Sequence, residues 1–271
     1  MLINELPDDC MLAIFDQFDN LYHLMACYKV CLKWSHLIAQ RIKKVKYFLD
    51  YYAYLPDYSP DYVFYRDRDL IDLAVKFEDI VAFVRNHESL KGIITYSLEV
   101  MEQCCDKLEM LATKFSEARI LRNCSSMKQL HINDYTLDDF ERAYCNNKIW
   151  SDLKRTLMKY PNLKHLSLRS PEYITDEHIK QLVNMLPNLV IFDVSRCDGV
   201  TQRAADYVAN YCKRNDRSTK FYFNGNRHEI QLDWPWLSTK IEKISRGFDF
   251  MKHCFLKDFH HLPCFLVPID Y

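Results

Sequence analysis

The sequence predicts an α/β chain in which a short helical module precedes a repeating strand–helix array. Two observations predict it. Residues 161–170 read PNLKHLSLRS and residues 187–196 read PNLVIFDVSR, the second copy starting 26 residues after the first. Each copy alternates apolar residues and then passes through a turn into a segment with apolar residues at helical spacing. The other observation is the N-terminal run INELPDDCMLAIFDQFDNLYHLMACYKVCLKWSHLI over residues 3–38, whose apolar positions also fall at helical spacing.

In that run Leu6-Pro7 punctuates a turn, because proline fixes φ and carries no N–H. Asp8 and Asp9 follow, where carboxylates favour a helix N-terminus. Met11, Leu12, Ile14, Phe15 and Phe18 line a first helix. Asp19-Asn20 breaks it and caps a second, lined by Leu21, Leu24, Met25, Tyr28 and Cys31. Val30, Trp34, Leu37 and Ile38 continue the apolar surface. About 40 residues bury too little surface to be comfortable alone, so the module is expected to lean on something else.

Leu6, Pro7, Asp8, Ile14, Phe15, Leu21, Leu24, Val30, Cys31, Lys33 and Trp34 together resemble an F-box in order and spacing. Phe18 stands where many members carry leucine, and Asp9-Cys10 where Glu-Ile or Glu-Leu is usual. The resemblance covers residues 1–45. It implies docking onto a Skp-type adaptor, and through it a cullin, with Leu6, Pro7, Ile14, Phe15, Leu21, Leu24, Val30, Cys31 and Trp34 as adaptor-binding residues. Leu6, Pro7, Ile14, Leu24 and Val30 are expected to form the docking surface, with Phe15 and Trp34 helping to fix the module's shape or flanking that surface.

After each repeat strand comes a similar second half. Thr175-Asp176 leads into Ile179, Leu182, Val183 and Leu186; Thr201-Gln202 leads into Ala205, Val208, Ala209 and Cys212. Each threonine sits where a helix would be capped. With Pro161, Pro187 and Cys197 in place, the pattern is similar to the cysteine-containing leucine-rich repeats found behind F-boxes. That resemblance implies an α/β solenoid over 89–223, with parallel strands on a concave side and helices on a convex side. Met127–Ile132 reads as an earlier strand, Leu108–Leu111 and Leu90–Ile93 as earlier ones still, and Lys220–Phe223 as a closing strand. The unit between Leu130 and Leu166 carries extra residues, placed around 146–150.

A single strand–helix unit cannot bury its own apolar face, so the units stack. Leu130, Ile132, Leu163, Leu166, Leu168, Leu189, Phe192 and Val194 are then the inward set. Strand side chains alternate, so Gln129, His131, Asn133, His165, Ser167, Arg169, Ile191, Asp193 and Ser195 are expected to face solvent. From these, His131, His165, Arg169 and Asp193 are the tentative substrate-binding residues.

Between the two parts, 46–88 forms a connector. It holds Tyr47, Tyr51, Tyr52, Tyr54, Tyr58, Tyr62 and Tyr65 with Pro56 and Pro60, followed by an amphipathic stretch over 68–87 read as a core or capping helix. Tyrosine suits recognition, but packing against the first repeats is the plainer reading. The tail, 224–271, lacks the repeat and is expected to cap the last unit's edge.

Other classes find little support. The net charge of −1 lacks a polyanion binder's basic footprint, so no nucleic-acid partner is expected. No charge-free apolar stretch is long enough for a membrane span. The four glycines are too far apart for a phosphate-cradling loop. Cys254, His260, His261 and Cys264 lack paired ligand doublets, so neither a metal nor another cofactor is expected. Eleven cysteines would suggest disulfides after a secretory signal, but MLINELPDDC has no basic n-region or apolar run. Reduced thiols in a cytoplasmic or nuclear protein are the expectation. The functional expectation is a non-catalytic substrate receptor of a ubiquitin ligase for an unidentified protein target. The alternative is a leucine-rich scaffold that uses the F-box for assembly alone. A hydrolase built on a Cys–His pair is a third class, for which the sequence offers no motif.

Overall fold

Pro7, with φ −54°, leads into α1 (Asp8–Phe15), and Asp8 and Asp9 occupy its first turn. There they meet the positive end of the helix dipole. α2 (Leu21–Tyr28) and α3 (Leu32–Ile42) complete the N-terminal module. The computed structural model describes residues 3–18, 21–42, 47–49, 85, 90–95, 101–102, 106–114, 123–133, 149–169, 173–230 and 265–266.

Beyond the module, β1 (Tyr47–Leu49), β2 (Gly92–Ile94), β3 (Met110–Lys114), β4 (Gln129–Asn133), β5 (His165–Arg169), β6 (Ile191–Asp193) and β7 (Lys220–Tyr222) lie side by side in chain order, all parallel. β8 (Phe265–Leu266) pairs antiparallel with β1. Helices fill the later connections: α4 (149–157) before β5, α5 (Asp176–Met185) before β6 and α6 (Gln202–Arg214) before β7. The result is a parallel sheet with helices, an α/β arrangement.

The register aligns Ile93, Leu111, Leu130, Leu166, Phe192 and Phe221 in one column across six strands. All but Phe221 are buried, as are Ile132, Leu163, Leu168, Leu189 and Val194. Each buried leucine contributes on the order of 1.5–3 kcal/mol. The inward set read from the repeat is therefore correct, and the strands read at 90–93, 108–111, 127–132 and 220–223 are present. The N-terminal module does lean on this core. Its Met11, Phe15, Leu24, Leu37 and Ile38 belong to the same apolar cluster as the sheet residues.

Side chains tie one unit to the next at several levels. Asn162 donates to the Ser125 carbonyl at 2.8 Å, and Asn188, its counterpart one repeat on, donates to the Pro161 carbonyl at 3.2 Å. Thr175 and Thr201 are N-caps, as their positions suggested. Thr201 also donates both its N–H and its hydroxyl to the Asp176 carboxylate, at 2.7 and 2.6 Å, so one helix start anchors the next. Gly199 is required beside this joint, because a Cβ there would lie 2.5 Å from the Ile174 carbonyl oxygen. At the other end, Arg217 donates to the Val183 and Leu186 carbonyls at the C-terminus of α5, groups the helix itself cannot satisfy.

Two boundaries need correction. Tyr47–Leu49, assigned to a connector, is the first strand of the sheet. Phe265–Leu266 of the tail pairs with that strand and not with the last unit. β7 lies at one edge of the sheet and β8 at the other. Residues 50–65, most of 68–87 and Cys254–Cys264 lie outside the described residues. Cys10, Cys27, Cys31, Cys124, Cys197 and Cys212 are free thiols. Cys10 is exposed; Cys124 and Cys197 are buried and donate to the Leu108 and Leu168 carbonyls, each at 3.4 Å.

The register puts two neighbouring residues, Leu166 and Ser167, on opposite faces, both of them buried. Leu166→Asp would bury an unpaired charge in the apolar column, a cost of about 3–5 kcal/mol. Ser167 is also fully buried and donates to Asp193 at 3.1 Å. Ser167→Asp should therefore destabilise as well, by about 2–4 kcal/mol, by setting two carboxylates together out of water. Urea denaturation of both variants checks this; a neutral Ser167→Asp would show that this face is open.

Candidate functional site

Two sets of residues were candidates, one on the helical module and one on the sheet. On the module, α3 reaches back to hold the N-terminal turn. Trp34 Nε1 donates to Asn4 Oδ1 at 2.7 Å. Lys33 Nζ donates to the Asn4 and Leu6 carbonyls at 3.2 and 2.9 Å and pairs with Asp8 at 3.1 Å. Phe15 is buried and meets Trp34 edge to face, with ring centroids 5.3 Å apart. Phe15 and Trp34 thus fix the module's shape, as expected.

The same packing turns other side chains outward. Ile14 is 38% exposed, Val30 57% and Leu32 80%, and Ile3 and Tyr28 are exposed too. Single exposed apolar residues need no explanation. Five of them lie within one small module, three within Tyr28–Leu32. Pro7 is exposed, and Leu6 and Cys31 are half-buried. Leu24 differs from expectation: it is fully buried in the shared core. Leu21 opens α2, and its side chain lies outside the described set. Leu32 escaped the sequence reading because helical periodicity alone does not tell a buried apolar position from an exposed one.

The second candidate set is corrected by the structure. His131, Arg169 and Asp193 are buried and His165 is half-buried, so they do not form an open binding column. Gln129, Ser167, Ile191 and Ser195 on that face are buried as well. The physical reason is that parallel sheets bury both faces. Apolar members, Met110, Ala112 and Tyr222, share the face with the polar ones. Several polar members bond to one another. Gln129 Nε2 lies 2.7 Å from His131 Nε2, Ser167 Oγ donates to Asp193 Oδ2, and Asp193 Oδ1 accepts the Ser195 N–H at 3.0 Å. Strand alternation located these residues on the correct face but could not show that the face is closed.

Burial first, then the charges of Arg169 and His165, hold the His131 pKa well below its ordinary value of 6.5. Burial likewise pushes the Cys197 thiol up, with Asp193 and Asp198 adding to it, so it is no nucleophile at neutral pH. Among the described residues there is no group of three or more His, Cys, Asp or Glu side chains able to hold a metal ion. No described helix is long and apolar enough to cross a membrane.

No family model matches the chain, and no curated protein matches its sequence.

His131 sets a pH dependence. Its pKa falls on folding, so between its folded value and 6.5 the unfolded chain binds a proton that the folded chain does not. Stability is therefore complete above about pH 6.5 and declines as the pH drops below it. His131→Gln should make the loss between neutral and acidic pH shallower. Urea midpoints of the two proteins across that range check this; parallel curves would mean that His131 does not lose its proton affinity on folding.

Proposed function

We propose that this chain is a non-catalytic substrate receptor of a Skp–cullin–F-box ubiquitin ligase. In this reading residues 3–34 dock on the Skp-type adaptor and the strand–helix units, read as leucine-rich repeats, hold the protein target. The observation that carries it is the coincidence of the Leu6-Pro7 to Trp34 pattern with exposed apolar side chains. Ile14 and Val30, two residues that resemble the docking motif, are exposed, and so is Leu32 beside Cys31. Their supports, Phe15, Leu24 and Trp34, are packed below.

The arrangement also supplies what such a receptor needs mechanically. The module shares a core with the sheet, so an adaptor bound at Ile14 and Val30 would be held in fixed relation to the strands. A rigid link would present a bound target to the ligase at a defined position, which raises the effective concentration of its lysines. The chemistry itself would belong to associated proteins. The buried polar column is not part of the target site; accessible surface must serve instead.

A double change Ile14→Asp, Val30→Asp should weaken binding to a Skp-type adaptor at least tenfold, about 1.4 kcal/mol or more. Both side chains are exposed, so the melting temperature should stay near that of the wild type. Leu6→Ala, Pro7→Ala should act in the same direction. Calorimetric titration with purified adaptor is the measurement; no wild-type binding, or unchanged affinity in both variants, would reject the reading.

A further inference from the structure

The turn that carries Leu6 and Pro7 has little of its own to hold it. Its 3-10 segment, Ile3–Glu5, buries none of its residues, and Ile3 is 49% exposed. A single 3-10 turn has poor hydrogen-bond geometry and depends on its surroundings for order. Here the Leu6 N–H reaches the Ile3 carbonyl at 3.2 Å. Leu6 packs at the edge of the core, while Pro7 is exposed and has no N–H to offer.

α3 meets this turn with two consecutive side chains. Trp34 packs on Phe15 and reaches Asn4 Oδ1 at 2.7 Å. Lys33 does more. An ammonium group has three protons to donate, and three oxygens surround Lys33 Nζ: Leu6 O at 2.9 Å, Asp8 Oδ1 at 3.1 Å and Asn4 O at 3.2 Å. One amine thus spans the backbone on both sides of Glu5 and the first residue of α1. The stability of α3 does not account for a lysine here. Lys33 is the second residue of that helix, where a cation opposes the helix dipole. The ion pair does not account for it either. The Asp8 side chain is 67% exposed and that of Lys33 37%, and such pairs contribute little. What remains is the pair of carbonyls, which fix the path of the turn.

We infer that Lys33 is a positioning residue for adaptor docking: its amine sets the turn from Asn4 to Asp8, so that Leu6 and Pro7 meet the adaptor already in place. The inference rests on the docking reading and adds the residue that readies its surface. A turn ordered beforehand does not lose that freedom on binding. If release of the turn leaves it competent for a fraction of the time, apparent affinity falls by that fraction.

The test uses the full chain and a purified Skp-type adaptor in calorimetric titration. Lys33→Met keeps the apolar stem and removes the three donors. It should weaken adaptor binding about tenfold with the melting temperature near that of the wild type. In the Leu6→Ala, Pro7→Ala background the same change should cost less than about twofold more, because the side chains it positions are gone. A residue acting only through stability would not show that coupling. In the free protein, Lys33→Met should speed amide exchange in the peptide covering residues 3–10 and leave α2 as it was. Asn4→Ala, which removes the acceptor of Trp34, should weaken binding in the same direction by less. Lys213→Met, at the exposed end of α6, should leave affinity unchanged. Wild-type affinity in Lys33→Met would overturn the inference and leave the docking reading standing. An equal tenfold loss in both backgrounds, or unchanged exchange over residues 3–10, would also overturn it. Absence of wild-type binding would reject the docking reading and this inference with it.

Discussion

No strand–helix unit in this chain can bury its own apolar face, and that constraint organises everything else. The column Ile93, Leu111, Leu130, Leu166, Phe192 exists because each strand offers one residue to it and needs the next strand to cover the remainder. From β1 to β7 each strand is laid beside the one before it in chain order. The joints at Asn162, Asn188 and Asp176–Thr201 lock the spacing that the column demands. The helical module obeys the same constraint. Met11, Phe15 and Leu24 share the core of the sheet, while Ile14, Val30 and Leu32 stay exposed.

The core was legible in the sequence because period two and period 3.6 mark which side chains share a face. Leu166 and Phe192 could be aligned from two matched segments, and the weaker matches at Leu90–Ile93 and Leu108–Leu111 fall on the strands Gly92–Ile94 and Met110–Lys114. Burial of the second face was not legible. A strand such as His165–Arg169 shows the same alternation whether its polar residues meet water or one another. What decides is pairing across strands, here Ser167 with Asp193, and pairing along one strand, here Gln129 with His131. On the module, Leu24 and Ile14 look alike as apolar helix positions, yet one is fully buried and the other exposed. The pairing of Phe265–Leu266 with Tyr47–Leu49 was beyond any local pattern, because the two segments lie at opposite ends of the chain.

Closing the second face changes how recognition must work. A polar column out of water is costly unless every member is partnered, and it serves order more than binding. The neutral His131 is consistent with that role, since a charged imidazole beside Arg169 would be unfavourable. In the proposed reading, contact with other proteins falls to surfaces that the stacking does not consume, among them the exposed apolar residues of the N-terminal module.

The central claim is that the module's exposed apolar residues receive a Skp-type adaptor while the strand units remain free. Amide hydrogen exchange on the full chain, with and without purified adaptor, addresses it most directly. The account predicts added protection in the peptides covering residues 3–16 and 26–34, where Ile14, Val30 and Leu32 are exposed, and unchanged exchange across β4, β5 and β6. No change in the N-terminal peptides, or protection confined to the strands, would contradict it.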